Sequence, residues 1–257
     1  MIIRKTPQQV DQMAAAGEIL VRCLKMLESK TRAGTTTLEL DEAAEKFIRS
    51  QGAEPAFKGY RGFPGSICAS PNSMVVHGIP DRTALQRGDL LSIDVGVVKD
   101  GWVADAAMTV AVGSVSPEAE KLLEVTKGAL FVGIEEARPG NHLGDIGHAI
   151  QRHVEAEGLS IIRTLVGHGI GREMHEEPQV PNFGEPGRGP ELEEGMVLAI
   201  EPMVNAGGPL VRMGDDGWAV YSEDESLAAH FEFTVAITPE GPRVLTPWHE
   251  AQTLSLG

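Results

Sequence analysis

The chain has 257 residues, long enough for one large or two small domains, and its 42% hydrophobic content is ample for a substantial core. With 37 acidic residues against 22 basic ones it carries a net charge of −15, which argues against nucleic acid or an anionic membrane as its main partner. Cys23 and Cys68 are the only cysteines and form no Cys-x-x-Cys pattern, so neither a disulfide framework nor a thiolate zinc site is indicated and a reducing, cytosolic setting fits.

The N-terminal stretch MIIRKTPQQV lacks the apolar core of a signal peptide, and no apolar run approaches the roughly 18 residues of a membrane span. Thr6 before Pro7 reads as an N-cap with proline at the first helical position. Val10, Met13, Leu20, Leu24 and Leu27 then recur at helical spacing until Arg32-Ala33-Gly34 ends the helix. Thr36 with Glu39 has the capping-box spacing, and Leu40, Ala43, Ala44, Phe47 and Ile48 form the apolar face of a second helix, stopped by Gly52. From Phe57 to Pro80 glycine, proline and short apolar runs alternate, which predicts short strands whose turns line a pocket.

Leu90 to Val112 is the stretch that poses a chemical question. Two valine-rich alternating runs flank Asp100-Gly101, the strongest short-range hairpin signal, yet each run contains a carboxylate, Asp94 and Asp105. If Asp100 and Gly101 are the two-residue loop, Asp94 lies opposite Ala107, and Asp105 is its diagonal neighbour on the same face, roughly 7–8 Å away. A three-residue loop would put the two on opposite faces. On the hairpin alone, one hydrogen-bonded aspartate plus one at the solvent edge is as good a reading as two carboxylates sharing a cation.

Ser116-Pro117-Glu118 opens a third helix that runs to about Ala137. After the break at Pro139-Gly140-Asn141, a fourth carries the apolar stripe Leu143, Ile146, Gly147, Ile150 and Val154. A strand is predicted over Ile161–Val166, followed by the glycine-rich loop GHGIGREMHEEPQVPNFG and three apolar segments, Met196–Val204, Trp218–Tyr221 and Leu227–Ile237. Helix, helix, strands, helix, helix, strands is not a βαβ alternation. It predicts an α+β fold, one domain over residues 1–257, with a curved, mostly antiparallel sheet backed by paired helices in two similar halves.

Glu201 in MVLAIEPMV and Glu232 in LAAHFEFTVAI are, like Asp94 and Asp105, lone carboxylates in strand-like runs, and His168 closes the strand IIRTLV. Each alone reads as an ordinary satisfied core residue. Together, four carboxylates and one imidazole cannot stay partly buried without protons or cations, and two divalent ions would neutralise them. Oxygen-rich ligation with one nitrogen suits Mn, Fe, Co or Zn, and two such ions about 3.5–4 Å apart activate a water for hydrolysis. Of the other histidines, His142, His148, His153 and His249 read as structural or surface. His77 and His175 are placed to face a cleft as neutral donors to a substrate carbonyl. Gly-x-Ser-x-Gly is absent and Gly167-His168-Gly169-Ile170-Gly171 lacks the P-loop lysine, so acyl transfer through serine and phosphate binding find little support.

The segments GYRGFPGSIC, VVHGIP, DVGVVKDGWVADAAMTVAVG, GHGIGREMHEEPQV, LAIEPMVNAG, DDGW and HFEFTVAIT, in this order, resemble the methionine aminopeptidases, in particular the short bacterial type I form of the "pita-bread" metallopeptidases. The resemblance covers nearly the whole chain. It implies the pita-bread fold with pseudo-two-fold halves. It also implies two divalent cations, with Asp94 chelating one, Asp105 and Glu232 bridging both, and His168 and Glu201 completing the other. A bridging hydroxide would attack the carbonyl after the initiator methionine, Glu201 would shuttle a proton, and His77 and His175 would contact substrate. Tyr60, Phe63, Cys68, Met174 and Trp218 would wall the methionine pocket. Arg61, Leu165, Met174 and His230 depart from the residues usual in the family; His230 stands where glutamine often precedes the Phe-Glu of the last ligand, within reach of a role behind the ligands. The implied enzyme is a cytoplasmic monomer acting on nascent polypeptide N-termini with a small second residue, at the ribosome or after release, without direct contact to nucleic acid or membrane. An Xaa-Pro peptidase of the same fold and a non-catalytic pita-bread binding protein are the alternatives.

Overall fold

The computed structural model describes residues 1–249. The helices begin where local chemistry says they should. Helix α1 (Pro7–Lys30) is capped by Thr6, whose hydroxyl takes the Gln9 amide while the Gln9 side chain returns to the Thr6 amide; α2 (Thr37–Ser50) repeats the device with Thr36 and Glu39. Helix α3 (Pro117–Glu135) is capped by Ser116, and α4 (Leu143–Ala156) buries the stripe Leu143, Ile146, Gly147, Ile150 and Val154. The pair α1 and α2 backs the hairpin Leu90–Lys99 and Trp102–Ala111, whereas α3 and α4 pack together and back the strands of the C-terminal half. These two helix pairs behind two strand groups are the two similar halves, and one apolar core runs between them.

All strand pairings among the described residues are antiparallel. The sheet is divided into four hydrogen-bonded segments, the largest ordered Gly241–Val244, Phe233–Thr238, Val197–Ile200, Gly167–Gly169, Glu176–Val180. The hairpin turn is the two-residue loop expected, with Lys99 paired to Trp102 and both Asp100 (φ 51°) and Gly101 (φ 75°) in the left-handed region a type I′ turn requires. Asp94 therefore pairs with Ala107 and Asp105 with Gly96, which puts both carboxylates on one face.

Four predicted strands are shorter or broken. The expected Ile161–Val166 strand is confined to Ser160–Ile161; Arg163 and Thr164 are exposed and the chain lifts away before His168 enters its own short strand, Gly167–Gly169. Met196–Val204 splits into Val197–Ile200 and Met203–Asn205, which belong to different sheet segments, because the chain turns at Glu201-Pro202, where proline has no amide to offer a ladder. Leu227–Ile237 splits likewise into Ala228–His230 and Phe233–Thr238 around Phe231-Glu232. The segment read as Trp218–Tyr221 forms strand only over Val220–Ser222, with Trp218 held in the preceding turn by the hydrogen bond its backbone N–H donates to Asp216 Oδ1.

Candidate metal centre and active site

The two breaks are what build the centre. A carboxylate inside a continuous ladder has its backbone committed to its neighbours, whereas at a crossing between sheet segments the backbone needs other partners. At Glu232 these are the Ala107 carbonyl, which accepts its amide at 2.9 Å, and the Trp248 indole, which donates to its carbonyl at 3.0 Å. On either side, two threonines bond reciprocally to the opposing backbone. Thr109 accepts the His230 amide (2.9 Å) and donates to the His230 carbonyl (3.0 Å). Thr234 accepts the Asp105 amide (3.0 Å) and donates to the Asp105 carbonyl (2.8 Å). The Glu201 carbonyl accepts from the Asn182 amide side chain at 3.0 Å. Hairpin and breaks are thus pinned so that Asp94, Asp105, Glu201, Glu232 and His168 all line one cavity of about 170 Å³.

His168 Nε2 lies 3.6 Å from Glu201 Oε1 and 3.9 Å from Asp105 Oδ2, and one donor atom each of Asp105, His168 and Glu232 fall within 4.8 Å of one another. The His168 Nδ1 faces the Gly169 carbonyl at 3.0 Å. That bond fixes the proton on Nδ1 and leaves the Nε2 lone pair turned toward the carboxylates. Burial pushes His168 down to about 4, so the ring is neutral, as a metal ligand must be.

The carboxylates move the other way. Burial, reinforced by the neighbouring acids, raises Asp105 and Glu232 well above the usual range; burial lifts Glu201 to about 8 and Asp94 to about 7. Asp94 Oδ1, Asp105 Oδ1 and Glu232 Oε1 are buried with no hydrogen-bond partner. Orphaned acceptors of one charge sign converging with a neutral imidazole are a donor set that divalent cations satisfy, and the residues fit such a group.

The rest of the cavity is apolar. Tyr60, Phe63, Cys68, Met174 and Trp218, the expected wall, all line it, and Phe57 and Arg61 join them. Phe63 meets the Trp218 ring edge-on with centroids 5.1 Å apart. Cys68 is paired in register with Asp94, and burial among carboxylates raises its thiol well above the usual value, so it serves as a wall rather than a nucleophile. His77, in the left-handed region at φ 61°, and His175 also face the cavity. Tyr60 Oη lies 2.8 Å from His175 Nδ1; a phenol donating there leaves Nε2 as the donor of the neutral ring. A second opening of about 500 Å³ adjoins, sharing His77, Asp94, His168, His175 and Glu201 with the first and adding Thr164, Leu165, Gln179, Met203 and His230.

Two supports were missed by sequence reasoning. Lys5 Nζ donates to Glu176 Oε2 at 2.6 Å, with both side chains buried, and Glu176 Oε1 accepts the amides of Arg172 and Glu173, so this pair anchors the loop that carries Met174 and His175. Gly171 sits against it; a Cβ there would meet Glu176 Oε1 and Lys5 Cε at 2.5 Å. Asp41 on α2 accepts the amides of Ser66 (2.6 Å) and Ile67 (3.0 Å), which positions Cys68. His142, His148 and His153 prove structural: His142 precedes α4 and gives its amide to Asp145, His148 contacts the Gly184 carbonyl and His153 packs beside Gly128.

Sheet halves backed by helix pairs, with an acidic cluster and one imidazole between them, define a pita-bread metallopeptidase. The chain belongs to metallopeptidase family M24, whose model matches residues 11–239. Within that family it falls among the methionine aminopeptidases. It is 54% identical to the methionine aminopeptidase of Clostridium perfringens over 96% of this chain and 99% of that protein. Its fold superposes on the crystal structure of the Rickettsia prowazekii methionine aminopeptidase with a TM-score of 0.94, at 41% identity over 96% of this chain and 100% of that one. The prolidase of Pyrococcus furiosus shares the fold at 24% identity and a TM-score of 0.77, this chain covering 65% of its length.

Proposed function

We propose that the chain removes the initiator methionine from nascent polypeptides whose second residue is small, using two divalent cations held by Asp94, Asp105, His168, Glu201 and Glu232. The observation that carries the reading is the convergence of three buried carboxylates, a partly buried fourth and a neutral imidazole on the edge of an apolar cavity with room for one side chain. When bound, the cations would acidify a water and polarise the scissile carbonyl.

The chain's own groups do the rest. Phe63, Cys68, Met174 and Trp218 exclude water from the methionine side chain, and Met174 offers it a soft, adaptable contact. Glu201, at the junction of the two openings, is the carboxylate placed to accept the nucleophile's proton and return it to the departing amine. His77 and His175, both kept neutral by a burial-lowered value of about 4, donate N–H groups to the carbonyl oxygen as it gains charge. The second opening takes the remainder of the polypeptide. In this reading the enzyme works as a cytosolic monomer on newly made N-termini, and its acidity keeps it from binding nucleic acid or membrane directly.

The test offers the protein loaded with Co²⁺ or Mn²⁺ the peptide Met-Ala-Ser beside an Xaa-Pro peptide, with and without chelator. Loss of methionine from the first peptide alone, abolished by chelation, is expected. Cleavage of the Xaa-Pro peptide would support that alternative, cleavage of neither would support a binding protein, and chelator-insensitive cleavage would refute the metal mechanism.

A further inference from the structure

Among the described residues, Arg61 is the only lysine or arginine that lines either opening. It is exposed, and at φ 49°, ψ 23° its backbone lies in the left-handed region that few side chains other than asparagine and aspartate adopt. The turn holds it there. Gly59 (φ 85°) and Gly62 (φ 90°) stand close on either side, and the amides of Gly62 and Phe63 donate to the carbonyls of Gly59 (3.1 Å) and Tyr60 (2.9 Å). A strained backbone kept in place by its surroundings marks a residue whose side-chain direction matters.

That direction is toward the path of the substrate. The guanidinium lies over the Tyr60 ring, 5.3 Å from its centroid. Tyr60 in turn stacks on His175, with centroids 5.5 Å apart and its hydroxyl 2.8 Å from His175 Nδ1. The cation thus stands one ring away from the histidine assigned to the scissile carbonyl, and its charge is felt there. An extended chain advances about 3.3–3.6 Å per residue, so a side chain two residues beyond the methionine comes within reach of Arg61. The guanidinium has no ion-pair partner among the described residues, although exposed Glu173, Asp215 and Asp216 sit on the loops that carry Met174 and Trp218. In a chain of net charge −15, a cation that rests on an aromatic face and has no acid of its own is open to a carboxylate brought by the substrate.

We propose that Arg61 reads the third residue of the substrate, favouring a side-chain carboxylate there and disfavouring an ammonium. This rests on the methionine-removal reading above and deepens it: the apolar cavity takes the first residue, and Arg61 grades chains by charge beyond the small second one. The interaction is remote from the reacting atoms and acts alike on bound substrate and transition state, so it is expressed in KM rather than kcat.

The test uses Co²⁺-loaded protein and peptides amidated at the C-terminus, so that the third side chain holds their only carboxylate: Met-Ala-Glu-Ser, Met-Ala-Lys-Ser and Met-Ala-Gln-Ser amides. Each kcat/KM is taken relative to the Gln peptide, so a general loss of activity in a variant cancels. Arg61→Gln should lower the Glu-to-Lys ratio about 10-fold, at about threefold for each charge, within the range of an exposed ion pair. Arg61→Lys should retain most of the ratio and Arg61→Glu should lower it further than Arg61→Gln. A ratio that is the same in wild type and Arg61→Gln overturns the proposal, and so does a fall as large in Arg61→Lys, which would make shape rather than charge the cause. An Arg61-dependent gain confined to the free acid of Met-Ala-Gln would assign the guanidinium to a C-terminal carboxylate and overturn the side-chain reading. Failure to release methionine from any of the peptides would overturn the aminopeptidase reading itself, which distinguishes the two failures.

Discussion

Lys5 and Glu176 lie 171 residues apart in sequence and meet at 2.6 Å with side chains only 2% and 6% exposed. At an effective dielectric near 20 a pair this close attracts by roughly 6 kcal/mol, most of it offset by the desolvation of both ions. Lys5→Met keeps the aliphatic bulk but strands the carboxylate in the interior, for which about 3–5 kcal/mol of destabilisation is typical. Glu176 retains the Arg172 and Glu173 amides on Oε1, so the lower end, about 3 kcal/mol, is expected. Adding Glu176→Gln to Lys5→Met removes both charges yet keeps an acceptor for those amides, and should recover most of the loss. Urea unfolding of the wild type, both singles and the double closes the cycle. Steady-state kinetics on Met-Ala-Ser, with bound metal measured in parallel, reads the consequence for the loop. Because that loop carries Met174 and His175, Lys5→Met should lower turnover and raise KM while metal content holds. A Lys5→Met protein as stable as wild type, or a double variant no better than the single, would refute the argument that this ion pair anchors the loop.

Asp105→Ala should abolish both metal binding and turnover, as measured by elemental analysis and peptide assay; full activity would remove Asp105 from the centre. His77→Ala and His175→Ala should each cut turnover about 100-fold or more, as loss of an oxyanion donor does, with metal stoichiometry unchanged. Asp41→Ala leaves the buried amides of Ser66 and Ile67 without their acceptor and should cost on the order of 3 kcal/mol in urea unfolding, whereas Asp41→Asn, which keeps an acceptor oxygen, should cost much less. The metal-free protein should lose stability as pH rises. Burial holds Asp94 near about 7 and Glu201 near about 8, above their unfolded values, so the folded state binds more protons; their contribution is complete below the unfolded values and disappears as pH climbs through about 7 to 8. Metal-loaded protein, whose carboxylates are neutralised by cations, should show a flatter melting profile over the same range.

Local chemistry made much of this molecule legible in one dimension. The N-cap at Thr6, the capping box at Thr36, the α4 stripe and the Asp100-Gly101 turn lie within a few residues of the structure they specify, and each is found where it was expected. The hairpin's period of two then carried Asp94 and Asp105 onto one face without further information. The four carboxylates Asp94, Asp105, Glu201 and Glu232 stood out for a related reason, since a charge inside an apolar run is anomalous at the level of the chain itself.

What the chain alone did not disclose is non-local. Nothing in LAIEPMV or AAHFEFTV marks the turns at Glu201 and Glu232 beyond one proline, because apolar alternation continues unchanged across a crossing between sheet segments. The crossings are held by Thr109, Thr234 and Trp248, each bonding to backbone remote in sequence or across a sheet boundary. The Lys5–Glu176 anchor and the seating of His230 against Glu201 are of the same kind. Residue type and local spacing decide which groups bear the chemistry, since they act over one or two turns of chain. Distance and protonation are decided only when segments far apart in sequence are packed together and water is expelled from between them.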